Sequence, residues 1–171
     1  AEVRGRSGEA TAMLLKALDH DPDNLELLCR LAHCGRRGQP GPLARQAADR
    51  ALELTEELEC SQRALALGAH AAVLSDEGES DRAEAAYRQA LERAPDLVSA
   101  RSGLGQLLLE TGRVEEALQC FQQVRAIAPL QGWCQLIHAR QIPEDQRVLD
   151  EIEKAARQPG LEGPLRSGLL Y

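Results

Sequence analysis

A five-residue skeleton occurs three times in this 171-residue chain and limits what the chain can fold into. Each copy has a glycine, an alanine five residues later, an apolar residue, a small apolar residue and finally a proline. The copies are Gly5-Ala10-Leu14-Ala17-Pro22, Gly78-Ala83-Tyr87-Ala90-Pro95 and Gly112-Ala117-Phe121-Val124-Pro129. The last two copies are 34 residues apart, and a fixed period of this length predicts an array of helical repeats. Because such an array presents a surface, we expect function in the residues that line it.

The composition fits packed helices and excludes several functional classes. Aromatic residues make up only 2% of the chain, so alanine and leucine supply most of the apolar surface and helices can approach closely. The formal net charge of −7 argues against a nucleic-acid partner, which requires a dense basic surface. No apolar run approaches the roughly 20 residues that span a bilayer, so no membrane partner is expected. The odd number of cysteines, five, indicates free thiols in a reducing compartment and hence a cytoplasmic protein.

Setting each proline at position 32 of a 34-residue unit predicts the organisation of the chain. In each unit a helix A ends near the glycine, and a helix B carries the rest of the skeleton. Gly78 and Gly112 are expected in the left-handed conformation that ends a helix, and Ser80 or Asp81 is expected to cap the next one. We expect one all-α domain over residues 1–171, made of a partial repeat 1–24, a degenerate repeat 25–58, regular repeats 64–97 and 98–131, a short degenerate repeat 132–160 and a truncated helix 163–171.

The pattern is irregular at two joints. Glu56 stands where the second unit should have its closing proline, so its helix B is expected to run long through Leu54 and Leu58. After Pro129 the helix B spacing returns early, in Val148-Ile152-Ala155, so the preceding helix A is expected to be short.

These residues resemble the tetratricopeptide repeat family, most strongly over 64–131. That family has small residues at positions 8 and 20, which here are Ala32, Ala71 and Gly105, and Ala10, Ala44, Ala83 and Ala117. Its position-4 tryptophan is replaced by Leu28, Leu67 and Arg101, and Arg101 indicates an altered contact. The resemblance implies a right-handed α-solenoid of antiparallel helix pairs, whose concave groove is lined by A helices and binds peptides or partner proteins.

The groove positions implied by the family carry small and mildly polar residues, with a basic cluster at one end. The lining that this resemblance implies is Glu26, Cys29, His33, Arg36, Arg37, Ser75, Asp76, Ser99, Ser102, Gln106 and Glu110. Leu65, Gly68 and Ala72 stand in the middle, where small side chains leave room for a ligand backbone. The carboxylate clamp of one subclass of the family is absent, so chaperone tails are not expected partners. The Arg36-Arg37 pair either binds a carboxylate or phosphate or is a solvated helix end.

No cluster of residues predicts a catalytic or metal site. Cys29 and His33 have the spacing of two metal ligands on one helix face, but no third ligand is evident. There is no phosphate-binding glycine loop and no nucleophile elbow, so no enzyme activity, cofactor or metal is expected for this chain. Trp133 either anchors a partner at the end of the lining or packs beneath the short fourth repeat.

The function predicted from these features is a protein–protein interaction scaffold that binds a partner peptide or helix in its groove. One alternative is the non-catalytic arm of a larger enzyme, because residues 142–171 loosely resemble the linking region of bacterial tetratricopeptide proteins with a sulfotransferase domain; a glycosyltransferase fusion is similar. Another is self-association into a homo-oligomer through the apolar solenoid ends, at Met13, Leu14 and Leu15 and at Leu169, Leu170 and Tyr171.

Overall fold

The structure, a computed structural model of the chain, describes residues 2–35, 41–57, 61–139 and 146–156. Within these ranges the regular structure is entirely helical. The helices are α1 (Glu2–Leu18), α2 (Leu25–Gly35), α3 (Pro42–Leu54), α4 (Ser61–Asp76), α5 (Ser80–Arg93), α6 (Val98–Glu110), α7 (Val114–Ile127), α8 (Pro129–His138) and α9 (Gln146–Ala156). None of these helices is long and apolar enough to cross a membrane. The chain divides into two compact units, unit 1 (Ala1–Gly103) and unit 2 (Leu104–Tyr171).

Unit 1 is built from helix pairs held together by small residues. Helix α2 packs on α3, α4 packs along α5, and α4 also contacts α2 and α3. The skeleton residues of α5 form part of the core, because Ala83, Tyr87 and Ala90 are all almost completely buried. Alanines on neighbouring helices let the backbones approach, as between Ala48 of α3 and Ala69 of α4, which share one apolar cluster.

The two in-phase glycines end their A helices as the sequence predicts. Gly78 and Gly112 both have φ of 81°, a left-handed conformation that glycine adopts at little cost. In both turns the residue after the glycine donates its N–H to the carbonyl five residues earlier: Glu79 to Leu74 at 2.9 Å and Arg113 to Leu108 at 2.8 Å. This matches the Schellman pattern of helix ends, and it positions both B helices in the same way.

The predicted cap of α5 by Ser80 or Asp81 is wrong. Ser80 is already the first helical residue, and Glu79 is the N-cap residue, without a side-chain capping bond. The tight glycine turn leaves a single residue before the helix, so the helix starts earlier than the sequence pattern indicates. The carboxylate of Glu79 is instead bound by Arg82 of α5 and by Arg45 of α3.

The irregular joint after α3 is closed by side chains rather than by a proline. The predicted extension of α3 toward Leu58 is wrong, because the helix ends at Leu54 and residues 55–57 form a turn; Leu58 itself lies outside the described residues. Thr55 is buried, and its hydroxyl donates to the carbonyl of Ala51 at 2.7 Å. Arg63 of α4 donates to the carbonyl of Leu52 at 2.5 Å, so a cation satisfies the carbonyl end of α3.

In unit 2, α7 packs against α8 at very short range, which Gly132 makes possible. A Cβ atom at Gly132 would clash with the backbone of Arg125. Helix α8 is short, as predicted, and begins at Pro129 itself. The skeleton residue Phe121 is buried, and its ring lies against Gly105.

His70 of α4 packs beside Asp49 of α3. It is half-buried, and its Nδ1 lies 3.3 Å from Oδ1 of Asp49, although the geometry is not that of a hydrogen bond. Burial lowers the pKa of His70, the carboxylate of Asp49 opposes this shift, and Arg45 and Arg82 add to it. The folded state therefore favours the neutral imidazole.

This pKa shift predicts a stability loss at mildly acidic pH. The unfolded chain binds a proton at His70 near its ordinary pKa of 6.5, whereas the folded chain resists protonation. The free energy of unfolding should therefore fall as the pH drops from above 6.5 to below it. Urea titrations at one pH above 6.5 and one below it should show a smaller fall in the free energy of unfolding for His70→Asn than for the unmodified chain. An identical fall in both proteins would contradict the assignment to His70.

Candidate partner-binding face

The structure distributes the predicted lining residues over four helices. Unit 1 holds those of α2, of the end of α4 and of the start of α6: Glu26, Cys29, His33, Ser75, Asp76, Ser99 and Ser102. Unit 2 holds Gln106, Glu110 and Trp133. Arg36 and Arg37, the predicted basic cluster, lie outside the described residues.

Within unit 1 the three A helices are neighbours. Helix α2 contacts α4, and Gly68 of α4 lies so close to α6 that a Cβ atom there would be 3.6 Å from the Cβ of Ala100. Glu26, Leu65 and Ser99 occupy the same position on these successive helices, and all three are exposed. We call the accessible residues of this series the helix A face: Glu26, Cys29, His33, Leu65, Ser75, Asp76, Ser99 and Ser102.

The middle of this face is not the open surface that its small residues predict. Gly68 and Ala72 are buried, so they do not leave room for a ligand backbone. Their small size instead lets α4 pack closely against its neighbours. Leu65 is the opposite case, because its side chain is 42% exposed although it is a large apolar residue. The accessible part of the face is therefore one apolar side chain among polar ones.

Cys29 and His33 share a helix face, but their local chemistry does not suit a metal. Burial raises the pKa of the Cys29 thiol to about 11, so the thiolate that binds metals is scarce at neutral pH. Nδ1 of His33 donates to the backbone carbonyl of Cys29 at 2.8 Å, which leaves only its other ring nitrogen available. In the described ranges no group of three or more metal-ligating side chains comes together.

The charges on α2 are largely balanced at the surface. Arg30 forms an ion pair with Glu26 at 2.7 Å, and both side chains are mostly exposed. Exposed pairs of this kind contribute little to stability, so either residue can exchange its partner for a ligand group at small cost. The positive charge of Arg30 is thus compensated by its own neighbour.

In unit 2, Gln106 and Glu110 hydrogen-bond to each other along α6, with Nε2 of Gln106 donating to the carboxylate at 2.8 Å. Trp133 is half-buried against the apolar cluster of Cys134 and Ile152. The guanidinium of Arg125 lies 4.7 Å from the centre of the Trp133 ring. This cation–π contact and the apolar packing favour the interpretation of Trp133 as a packing residue.

Two contacts near these residues have no clear signal in the sequence. Arg101, at the position of the family's tryptophan, donates a hydrogen bond to the carbonyl of Pro95, so it ties the start of α6 to the preceding turn. The sequence indicates only that the contact made at this position differs from that of the family's tryptophan. The stacking of Arg125 on Trp133 joins residues on either side of Pro129, and the spacing alone does not reveal it.

Comparisons with known proteins agree with the repeat pattern. The family model for the tetratricopeptide repeat matches residues 74–133. Two solved structures share the fold, each 19% identical to this chain. A crystal structure of MamA has a TM-score of 0.53 and covers 99% of this chain and 90% of its own. A second, of MamA protein, has a TM-score of 0.58, covering 95% and 92% respectively.

At this identity the likeness to MamA concerns the fold alone, and no curated protein matches in sequence. The predicted fold class, an all-α solenoid of antiparallel helix pairs, is confirmed. The loose resemblance of residues 142–171 to a sulfotransferase-linked region stays a hypothesis. Residues 74–133 thus resemble the tetratricopeptide repeat family, and the fold of the chain is similar to that of MamA.

Proposed function

We propose that this chain is a protein–protein interaction scaffold, and that a segment of its partner binds along the helix A face of unit 1. The observation that supports this most directly is the series of accessible side chains at one repeat position, Glu26, Leu65 and Ser99, on three neighbouring helices. A stack of repeats offers such a series as a continuous strip to an extended or helical ligand.

The side chains of this strip suggest the chemistry of the partner segment. Leu65, 42% exposed, offers an apolar contact near the centre of the face. Ser99 and Ser102 on α6 offer hydroxyl groups that both donate and accept hydrogen bonds. A segment with one apolar side chain, flanked by polar groups, would match this arrangement. Covering Leu65 would contribute on the order of 1 kcal/mol, part of the 1.5–3 kcal/mol for fully burying such a side chain.

The substitution Leu65→Glu tests this proposal. It places a charge where the partner's apolar side chain would lie, so we expect partner capture to fall by about tenfold, since an unpaired buried charge is costly. Leu43→Glu is the matched control, because Leu43 is a leucine of similar exposure, 46%, on the B helix α3. The measurement is quantitative affinity capture with both variants, after circular dichroism has shown that both remain folded.

The outcome assigns the binding surface. Capture lost with Leu65→Glu and kept with Leu43→Glu supports the helix A face. Equal capture by Leu65→Glu and the unmodified chain would refute it, and loss with Leu43→Glu alone would place the partner on a B helix.

A further inference from the structure

Helix α1 carries the skeleton of a helix B without the burial that this skeleton has elsewhere. Its residues Ala10, Leu14 and Ala17 are only partly buried. The same positions are almost completely buried in three other helices, namely Ala44, Ala48 and Ala51 of α3, Ala83, Tyr87 and Ala90 of α5, and Ala117, Phe121 and Val124 of α7. Within the part of the chain that the structure describes, one side of α1 therefore lacks the cover that the other B helices have.

The uncovered side of α1 has a defined composition. Leu14, Leu15 and Leu18 pack toward the core of unit 1, whereas Met13 is 75% exposed, more than any other described large apolar side chain. At about 100° per residue, small residues lie on one flank of Met13 and charged residues on the other. We call this surface the α1 outer face: Glu9, Ala10, Met13, Lys16 and Ala17.

We propose that the α1 outer face binds the same face of a second copy of this chain, with the two α1 helices antiparallel about a twofold axis. The charges on this face are self-complementary in that arrangement. Glu9 and Lys16 are both exposed and lie about 10 Å apart along the helix, on the same flank of Met13. A twofold axis between Ala12 and Met13 brings each Glu9 to the height of Lys16 of the second copy, so two ion pairs form by symmetry.

The same charges do not favour the parallel arrangement. In a parallel pair about a twofold axis the charged flank of each helix would lie opposite the small-residue flank of the other, so neither ion pair would form. In the antiparallel pair the two Met13 side chains meet near the axis. Ala10 and Ala17 are small enough to let the helices approach. Apolar burial then supplies the affinity, and the ion pairs set the direction and register.

This pairing uses no residue of the helix A face. A negative result for dimerisation would therefore leave the proposed partner binding unaffected, and the reverse also holds.

Sedimentation equilibrium of the purified chain over a wide concentration range tests the pairing. The unmodified chain should show a reversible monomer–dimer equilibrium. Met13→Asp should weaken dimerisation by at least tenfold, because it places two like charges at the axis. Glu9→Lys and Lys16→Glu should each weaken it by about tenfold, since each change turns both symmetric ion pairs into repulsions. The double variant Glu9→Lys/Lys16→Glu should restore dimerisation to within about threefold of the original.

The matched control is Leu43→Asp, which changes an exposed large apolar residue of α3 and should leave dimerisation unchanged. A strict monomer at high concentration would overturn the proposal. So would an association that Met13→Asp does not weaken, or a double variant that is as weak as either single one. Since all the changed side chains on α1 are exposed, circular dichroism should show the same helix content in every variant.

Discussion

Phe121→Ala is expected to lower the free energy of unfolding of unit 2 by about 3–5 kcal/mol, the usual cost of removing a buried aromatic ring. The Phe121 ring is 1% exposed, and it occupies the aromatic position of the repeat skeleton in α7. Trp133 is the only tryptophan of the chain and belongs to unit 2, so its fluorescence during urea unfolding reports on this change. A loss below 1 kcal/mol would mean that the ring does not hold the unit together.

The Phe121 ring also explains why α6 has a glycine at position 105. A Cβ atom at Gly105 would lie 2.5 Å from Cε1 of Phe121, which is far too close. Gly105→Ala should therefore cost about 1–3 kcal/mol through overpacking, despite a gain of up to ~1 kcal/mol in helix propensity. In the Phe121→Ala background only the milder contact with Cβ of Cys120, at 3.1 Å, remains, so the same change should cost clearly less. Additive effects in this double-mutant cycle would contradict the contact.

Gly132→Ala is expected to destabilise unit 2 by about 2–3 kcal/mol, at the upper end of overpacking costs. An added Cβ would clash with the backbone nitrogen and Cα of Arg125, so α7 and α8 would have to move apart. Truncating the side chain, as in Arg125→Ala, should not rescue this variant, because the obstacle is the main chain. Urea unfolding followed by far-ultraviolet circular dichroism measures the loss without depending on the neighbouring tryptophan.

Gly68→Ala is the matched control for Gly132→Ala. A Cβ atom at Gly68 would be 3.6 Å from Ala100 and 3.8 Å from Leu97, which are ordinary contact distances. The helix propensity of alanine should then stabilise the chain, by up to ~1 kcal/mol. If Gly132→Ala and Gly68→Ala had the same effect, the close approach of α7 and α8 would not be the reason for Gly132.

The sequence predicts the B helices well because their skeleton encodes packing. Small residues such as Ala83 and Ala117 are required where two backbones approach, and the structure buries both completely. Gly78 and Gly112 are equally predictable, since a left-handed residue is needed between two helices and glycine adopts that conformation at low cost.

The candidate face is less predictable from the sequence. The repeat frame indicates which way a residue points, but it does not give the distance to the neighbouring helix. Gly68 and Ala72 were therefore expected to open the face, whereas close packing of α4 buries them. The start of α5 differs from the predicted one for a related reason, because the backbone turn at Gly78 leaves room for only one residue before the helix.

Photocrosslinking at Leu65 tests the central claim most directly, namely that the helix A face of unit 1 binds a partner protein. A photoreactive amino acid would replace Leu65 in one variant and Leu43 in the other, since both positions are comparably exposed, at 42% and 46%. Irradiation in the presence of the captured partner, followed by mass spectrometry, identifies the position in contact. We expect crosslinks to the partner from position 65 and none from position 43. Crosslinks from position 43 alone would contradict the claim and place binding on the B helices.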